Sequence, residues 1–301
     1  MKNSRVIQRA GPVQILISHL GRRILLWQRK RISAKGYAAL AVIPGDEIGM
    51  DVLQFGLYEE EILRPLFDQV LVRFADRFKA GRAIDVGANI GNHTLFFSSR
   101  FAEVSAFEPA KIASLLLQAN VALNNASNIK VFPFGLSDCE TTATLSSRQD
   151  SNLGSSAILD DAALVGTASE SIQLRKGDDV LETSPSDREL SLVKIDVEGH
   201  ELQVVRGLSK TLLSQHPIVL FEVMPGVASP SHGKSDIVGA LRELGYKNFY
   251  TLARDYPLPN WPAARFLLRL LVGAKFVLQA HEKLDNRFYN LAIATAGEEL
   301  L

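Results

Sequence analysis

The chain has 301 residues, 47% of them apolar, and its 33 basic and 33 acidic side chains cancel. That balance points to no nucleic-acid or other polyanionic partner, and the apolar content supports the core of one large or two small domains. The single cysteine, Cys139, excludes an intrachain disulfide and a cysteine-rich zinc site and fits a reducing, cytoplasmic setting; no apolar run reaches the ~18 residues of a membrane span.

Charge is unevenly placed. Residues 1–45 carry nine Lys/Arg and no acid. The apolar run Val13-Gln-Ile-Leu-Ile-Ser18 is cut short by Arg22-Arg23, and no small-residue cleavage site follows, so residues 1–50 read as a basic helical extension rather than a signal peptide. Ile, Leu and Trp27 alternate there with Arg22, Arg23, Arg29, Lys30 and Arg31. Such a segment either caps the domain or lies against an anionic membrane, giving a protein that is cytoplasmic or membrane-peripheral.

From about residue 81, strands and helices alternate. Arg82–Val86 is a short apolar strand that ends in a glycine turn, and His93–Phe101 continues as a helix. Val104–Glu108 is a second strand, and Pro109 suits the first turn of the helix over Ile112–Leu123. Ile129–Leu136, Leu192–Val197 and Ile218–Val223 read as further strands, with helices over Leu202–Leu213 and Ile237–Leu244. Tyr246–Leu252 and Phe288–Ala294 complete the series. This order implies a mostly parallel sheet with helices on both faces. Two stretches interrupt it: a polar excursion over 140–178, with β-like pieces at Thr141–Leu145 and Ser171–Leu174 and a loop at Ser151–Ser156, and an apolar, basic insertion over 257–283.

The turn Asp85-Val-Gly-Ala-Asn-Ile-Gly91 carries the first chemistry. Gly87 lets the backbone bend as the strand ends, and Gly91 lets the next helix approach. Asn89 stands where a dinucleotide fingerprint would have its middle glycine, which suits a cofactor without phosphate. Asp85 can accept from a cationic or hydroxyl group. Glu108, at the tip of the second strand, can bind both hydroxyls of a ribose. Ser137 and Asp138 follow the third strand, where an Asp can accept from an exocyclic amine such as adenine N6. In Lys194-Ile-Asp-Val-Glu-Gly-His-Glu201, the groups Asp196, Glu198, His200 and Glu201 crowd one strand–helix junction, an arrangement suited to acid–base chemistry. Asp196 and His200 are the candidate bases. Asp196, Glu198 and Glu222 could in principle hold a divalent ion, but strand-end carboxylates are too common to assign a metal.

These motifs, together with Gly56-Leu-Tyr-Glu59, Phe107-Glu-Pro109, Gly135-Leu-Ser-Asp138 and Phe288-Tyr-Asn-Leu-Ala292, resemble those of the FkbM family of S-adenosylmethionine-dependent methyltransferases. The resemblance covers about residues 51–295. It implies a class I methyltransferase (Rossmann-like) α/β fold: a seven-stranded, mostly parallel sheet with an antiparallel last strand, in a domain over 51–301. It also implies S-adenosyl-L-methionine as cofactor, held by Asp85, Gly87, Asn89, Gly91, Glu108, Ser137 and Asp138. The transfer it implies goes to a hydroxyl of a small-molecule or glycan acceptor: a saccharide, glycolipid or secondary metabolite. Tyr58 and Glu59 would fold over the cofactor. Two readings compete, a nucleotide-dependent oxidoreductase on a similar sheet and a non-catalytic module that keeps the cofactor cleft.

Overall fold

Every residue of Arg82–Val86 is buried, as a strand covered on both faces requires. This and the following assignments come from a computed structural model that describes residues 11–43, 45–147, 156–159, 169–223, 236–255, 275–282, 284 and 289–301. The helices are α1 (Pro12–Ala34), α2 (Glu47–Phe55), α3 (Glu60–Pro65), α4 (Ala75–Ala80), α5 (Asn92–Ser98), α6 (Lys111–Leu123), α7 (Gly177–Thr183), α8 (Glu201–Gly207), α9 (Ser209–Gln215) and α10 (Ile237–Glu243). The strands are β1 (Arg82–Val86), β2 (Glu103–Phe107), β3 (Ile129–Phe132), β4 (Gly135–Ser137), β5 (Thr141–Ser147), β6 (Ser156–Leu159), β7 (Ser169–Lys176), β8 (Leu190–Ile195), β9 (Ile218–Val223), β10 (Asn248–Asp255), β11 (Lys275–His281) and β12 (Tyr289–Thr295).

The main sheet runs β11-β10-β12-β9-β8-β1-β2-β3. β3, β2, β1, β8 and β9 are parallel, and β12 is antiparallel to both β9 and β10. Chain order reverses between β1 and β8, so the carboxyl ends of these two strands, with those of β2 and β9, open onto one crevice. Successive residues of each strand feed opposite faces. Ala83, Val104, Ala106, Leu192 and Leu220 join Phe67, Phe97 and Leu117 on one side. Ile84, Val86, Phe107, Val193 and Phe221 join Val204, Leu208 and Leu241 on the other.

The sheet has eight strands, not the seven that the sequence suggests. The additional one is β11, which pairs antiparallel with β10. Its residues belong to the stretch read as an insertion over 257–283, but an open edge on β10 offers unpaired N–H and C=O groups, and Lys275–His281 satisfies them. Residues 257–274 of that stretch, and residues 151–155 of the polar loop, lie outside the described residues.

A second difference lies at Ile129–Leu136, which is two strands. Pro133 cannot donate to a ladder, so β3 stops at Phe132. β4 then leaves the main sheet and pairs parallel with β7 in a four-stranded sheet ordered β4-β7-β5-β6. The helix read over Leu202–Leu213 is likewise α8 and α9, broken at the fully buried Leu208.

The segment before α2 is tied down by two side chains four residues apart, one in α6 and one at its C-cap. Asn124 accepts from the Ala39 N–H at 2.9 Å and donates to Ala39 O at 2.7 Å. Asn120, fully buried, does the same with Ala41 at 2.6 and 3.1 Å and also donates to Ile90 O at 2.8 Å. Two side-chain amides thus replace a strand partner for residues 39–41 and lock that segment to the glycine turn.

Candidate active site

The site is assembled at the carboxyl ends of β1, β2, β8 and β9. At the end of β1 the chain turns through Gly87 (φ 77°), Asn89 (φ 49°) and Gly91 (φ 92°), all in the left-handed region. A Cβ on Gly87 would stand 1.8 Å from Asp196 O, so only glycine lets β1 and β8 come together here. The Asn89 side-chain oxygen is buried without a hydrogen-bond partner.

Glu108 closes this turn from β2. Its Oε2 accepts from the Asn89 N–H at 2.8 Å and its Oε1 from the Ala110 N–H at 2.8 Å. One bond to each oxygen fixes the carboxylate and leaves each oxygen a free lone pair. Burial pushes this carboxyl up to about 7, partly offset by those two backbone bonds and by Lys194.

Asp85 is fully enclosed. It accepts from Thr94 Oγ1 at 2.6 Å and pairs with Lys194 Nζ at 3.3 Å. Lys194 also reaches Asp196 at 3.2 Å and donates to Gly87 O at 3.2 Å. Burial disfavours the ammonium, but Asp196 and Asp85 outweigh it and hold Lys194 charged above its ordinary range. Lys194 is therefore the hub joining the turn to the octapeptide. Sequence reading quoted it but gave it no role, because a lysine inside an apolar strand shows no partner until the strands are placed side by side.

Asp196 lies at the cleft mouth with 41% of its side chain exposed. Beyond it the backbone turns through Glu198 (φ 52°) and Gly199 (φ 101°), and the Gly199 N–H donates to Glu201 Oε1 at 2.9 Å. Burial raises the Glu201 carboxyl. Glu222, at the end of β9, is pushed up to about 8, chiefly by burial and then by the charges of Asp196, Glu198, Glu201 and Glu59. Its Oε2 is buried without a hydrogen-bond partner. A half-buried carboxyl that is mostly protonated at neutral pH, and that feels the charge of Asp196, is a feature that the apolar run of β9 conceals. Among the described residues no three Asp, Glu, His or Cys side chains converge as a metal-ligating set.

His200 and Ser137, read as parts of different subsites, are brought together. His200 Nε2 lies 3.0 Å from Ser137 Oγ, which also donates to Asp138 Oδ1 at 3.2 Å. The contact depends on Gly207, where a Cβ would stand 1.8 Å from Ser137 O, so α8 can lie directly on β4. The Gly56–Glu59 strap covers the turn from the other side. Asn92 accepts from the Tyr58 N–H and donates to Tyr58 O, both at 3.1 Å, and His93 stacks on Tyr58 and lies 3.4 Å from Glu59. Burial, with Glu59 next, raises the Tyr58 phenol above its ordinary range.

Residues 85–247, more than half of the chain, match the Methyltransferase FkbM domain. The chain belongs to the FkbM methyltransferase family. The fungal methyltransferase sdnD of Sordaria araneosa is 28% identical over 191 residues, 54% of this chain and 72% of that protein. The hexuronic acid methyltransferase AglP of Haloferax volcanii is 30% identical over 145 residues, 48% of this chain and 56% of AglP. A crystal structure of an FkbM methyltransferase from Methylobacillus flagellatus aligns with a TM-score of 0.41 and 15% identity, covering 83% of this chain and 61% of the other, less than two thirds of its length. The FkbM residues span β1 to just before β10, and so contain Asp85, Glu108, Lys194, Asp196, His200 and Glu222.

Proposed function

We propose that this FkbM methyltransferase uses S-adenosyl-L-methionine to methylate a hydroxyl oxygen on a saccharide, glycolipid or secondary metabolite. The observation that carries the cofactor reading is Glu108. A ribose diol offers two donors, and Glu108 presents two acceptors held in place by the Asn89 and Ala110 N–H groups. The turn beside it fits a cofactor without phosphate: the left-handed Asn89 occupies the position where a pyrophosphate needs close backbone approach, and its side-chain oxygen is a spare buried acceptor. Ser137 and Asp138 would meet the base at the end of β4, and the Tyr58 strap would cover the cofactor.

The bound cofactor supplies an electrophilic methyl on a sulfonium. The chain must align the acceptor oxygen with it and remove the hydroxyl proton, and alignment is the larger effect. Asp196 would take the proton, a role supported by its 41% exposed side chain and by its pairing with Lys194 at 3.2 Å. His200 works beside it, joined through Ser137 Oγ to the base-binding end of the pocket. A saccharide acceptor is supported by AglP, whose name gives a hexuronic acid as its substrate.

Calorimetric titration with S-adenosylhomocysteine and with NAD tests the cofactor. The first should bind and the second should not; the reverse would overturn the reading. Labelled methyl supplied with sugar, glycolipid and metabolite fractions then tests the acceptor, and label recovered only on nitrogen would exclude the hydroxyl class.

A further inference from the structure

α1 is a 23-residue helix with no buried residue. Six of its apolar side chains, Val13, Leu16, Ile17, Leu20, Ile24 and Trp27, follow one another at spacings of one, three and four, which puts them on one face of a 3.6-residue helix, while Ile15, Leu25 and Leu26 lie off that face. All six are 51–68% exposed. Arg22 and Arg29 fall on the opposite face, Arg23 and Lys30 flank the stripe, Arg31 ends it in the last turn, and the helix has no acid. Among the described residues the helix is held at its far end: Gln28 donates to Gln54 O at 2.8 Å, Lys35 pairs with Glu60 at 2.8 Å, and a Cβ on Gly56 would stand 2.7 Å from Ile32. These anchors lie on α2, on α3 and on the strap between them, which bonds Asn92 just after the glycine turn.

We propose that α1 lies on an anionic membrane surface, with its apolar stripe in the headgroup–acyl boundary and its arginines and lysine on lipid phosphates. Among the described residues no helix is long and apolar enough to cross a membrane, and the cations of α1 suit lying on one instead. Charge selects lipid over a second copy of the chain. A two-fold contact through this stripe would bring Arg23 and Lys30 against their own kind with no acid to meet them, whereas an anionic bilayer supplies the complement. Because α1 is joined to the strap, docking would hold the cleft beside the bilayer, within reach of a lipid-linked hydroxyl. That last clause rests on the acceptor class proposed above; lipid binding itself does not.

The full chain is tested by co-sedimentation with phosphatidylcholine vesicles containing about one-third phosphatidylglycerol and with pure phosphatidylcholine. Binding should need the anionic lipid and fall roughly tenfold between low and high salt, as screening shortens to a few Å. The triple variant Leu16→Ser, Leu20→Ser, Ile24→Ser should lose binding about tenfold or more while keeping the wild-type melting temperature and S-adenosylhomocysteine affinity, since these side chains are 51–68% exposed. Should it fail to fold, Trp27→Ser serves the same purpose. In a Trp261→Phe background, Trp27 fluorescence should shift to the blue on adding anionic vesicles. Equal sedimentation of wild type and stripe variant, or a self-association that the stripe variant abolishes without any vesicle binding, would overturn the proposal.

Discussion

Removing Glu108 separates a cofactor acceptor from an ordinary buried acid. Glu108→Ala deletes the acceptors of the Asn89 and Ala110 N–H groups, each now at 2.8 Å, and with them the two lone pairs offered to the ribose. Losing charged hydrogen bonds to both hydroxyls should cost about 1.5–3 kcal/mol of binding, a roughly 10- to 150-fold rise in Kd. Stability should change less, by about 1–2 kcal/mol, because the orphaned N–H groups are partly compensated by removal of an acid that is costly to bury in its charged form. Glu108→Gln keeps one oxygen but sets an N–H against a backbone N–H, so its Kd should fall between the two. The wild-type protein carries a pH signature as well. Burial raises this carboxyl to about 7, so it is mostly ionised at pH 8 and mostly protonated at pH 6. S-adenosylhomocysteine affinity should therefore weaken by up to about tenfold from pH 8 to pH 6, and this dependence should vanish in Glu108→Gln. Isothermal titration calorimetry reads all of these. A Glu108→Ala protein that unfolds cooperatively and binds within twofold of wild type would refute the ribose assignment.

Lys194→Met should destabilise the fold by about 3–5 kcal/mol in urea unfolding, more than Asp196→Asn, because it strands the enclosed Asp85 without its ion-pair partner; a loss below about 1 kcal/mol would refute a stabilising role for that pair. Glu222 is raised from 4.5 to about 8, so the folded state binds its proton more tightly than the unfolded chain does, and its ionisation weakens the fold as pH rises from about 4.5 to 8. Discounted for its partial exposure, Glu222→Gln should add about 1 kcal/mol near pH 8, roughly 2–4 °C by calorimetry, and little near pH 4.5, where an equal gain would be the wrong sign of pH dependence. Asp196→Asn should cut kcat about 10²-fold or more with cofactor Kd within a few-fold, and His200→Ala should also slow turnover; wild-type kcat in both, measured on the true acceptor, would move the proton transfer elsewhere.

Local chemistry made much of this protein legible. Gly87, Asn89 and Gly91 announce a turn because their backbone angles are rarely open to other residues, and a carboxylate at the end of the next strand reads as a ribose acceptor from spacing alone. The strand–helix alternation gave the parallel core for the same reason: period and punctuation are local properties. Tertiary structure decided what depends on edges and neighbours. β11 is a strand because β10 had an open edge, not because its residues demanded it. Pro133 sends β4 to a second sheet, and only then does Gly207 let α8 carry His200 to Ser137. Lys194 acquires its role from Asp85 one strand away, and Glu222 its raised carboxyl from burial and then from the acids that follow β8, open α8 and end the strap. Electrostatic energies depend on distance through space, and residues 26 positions apart along the chain become neighbours only when β8 and β9 lie side by side.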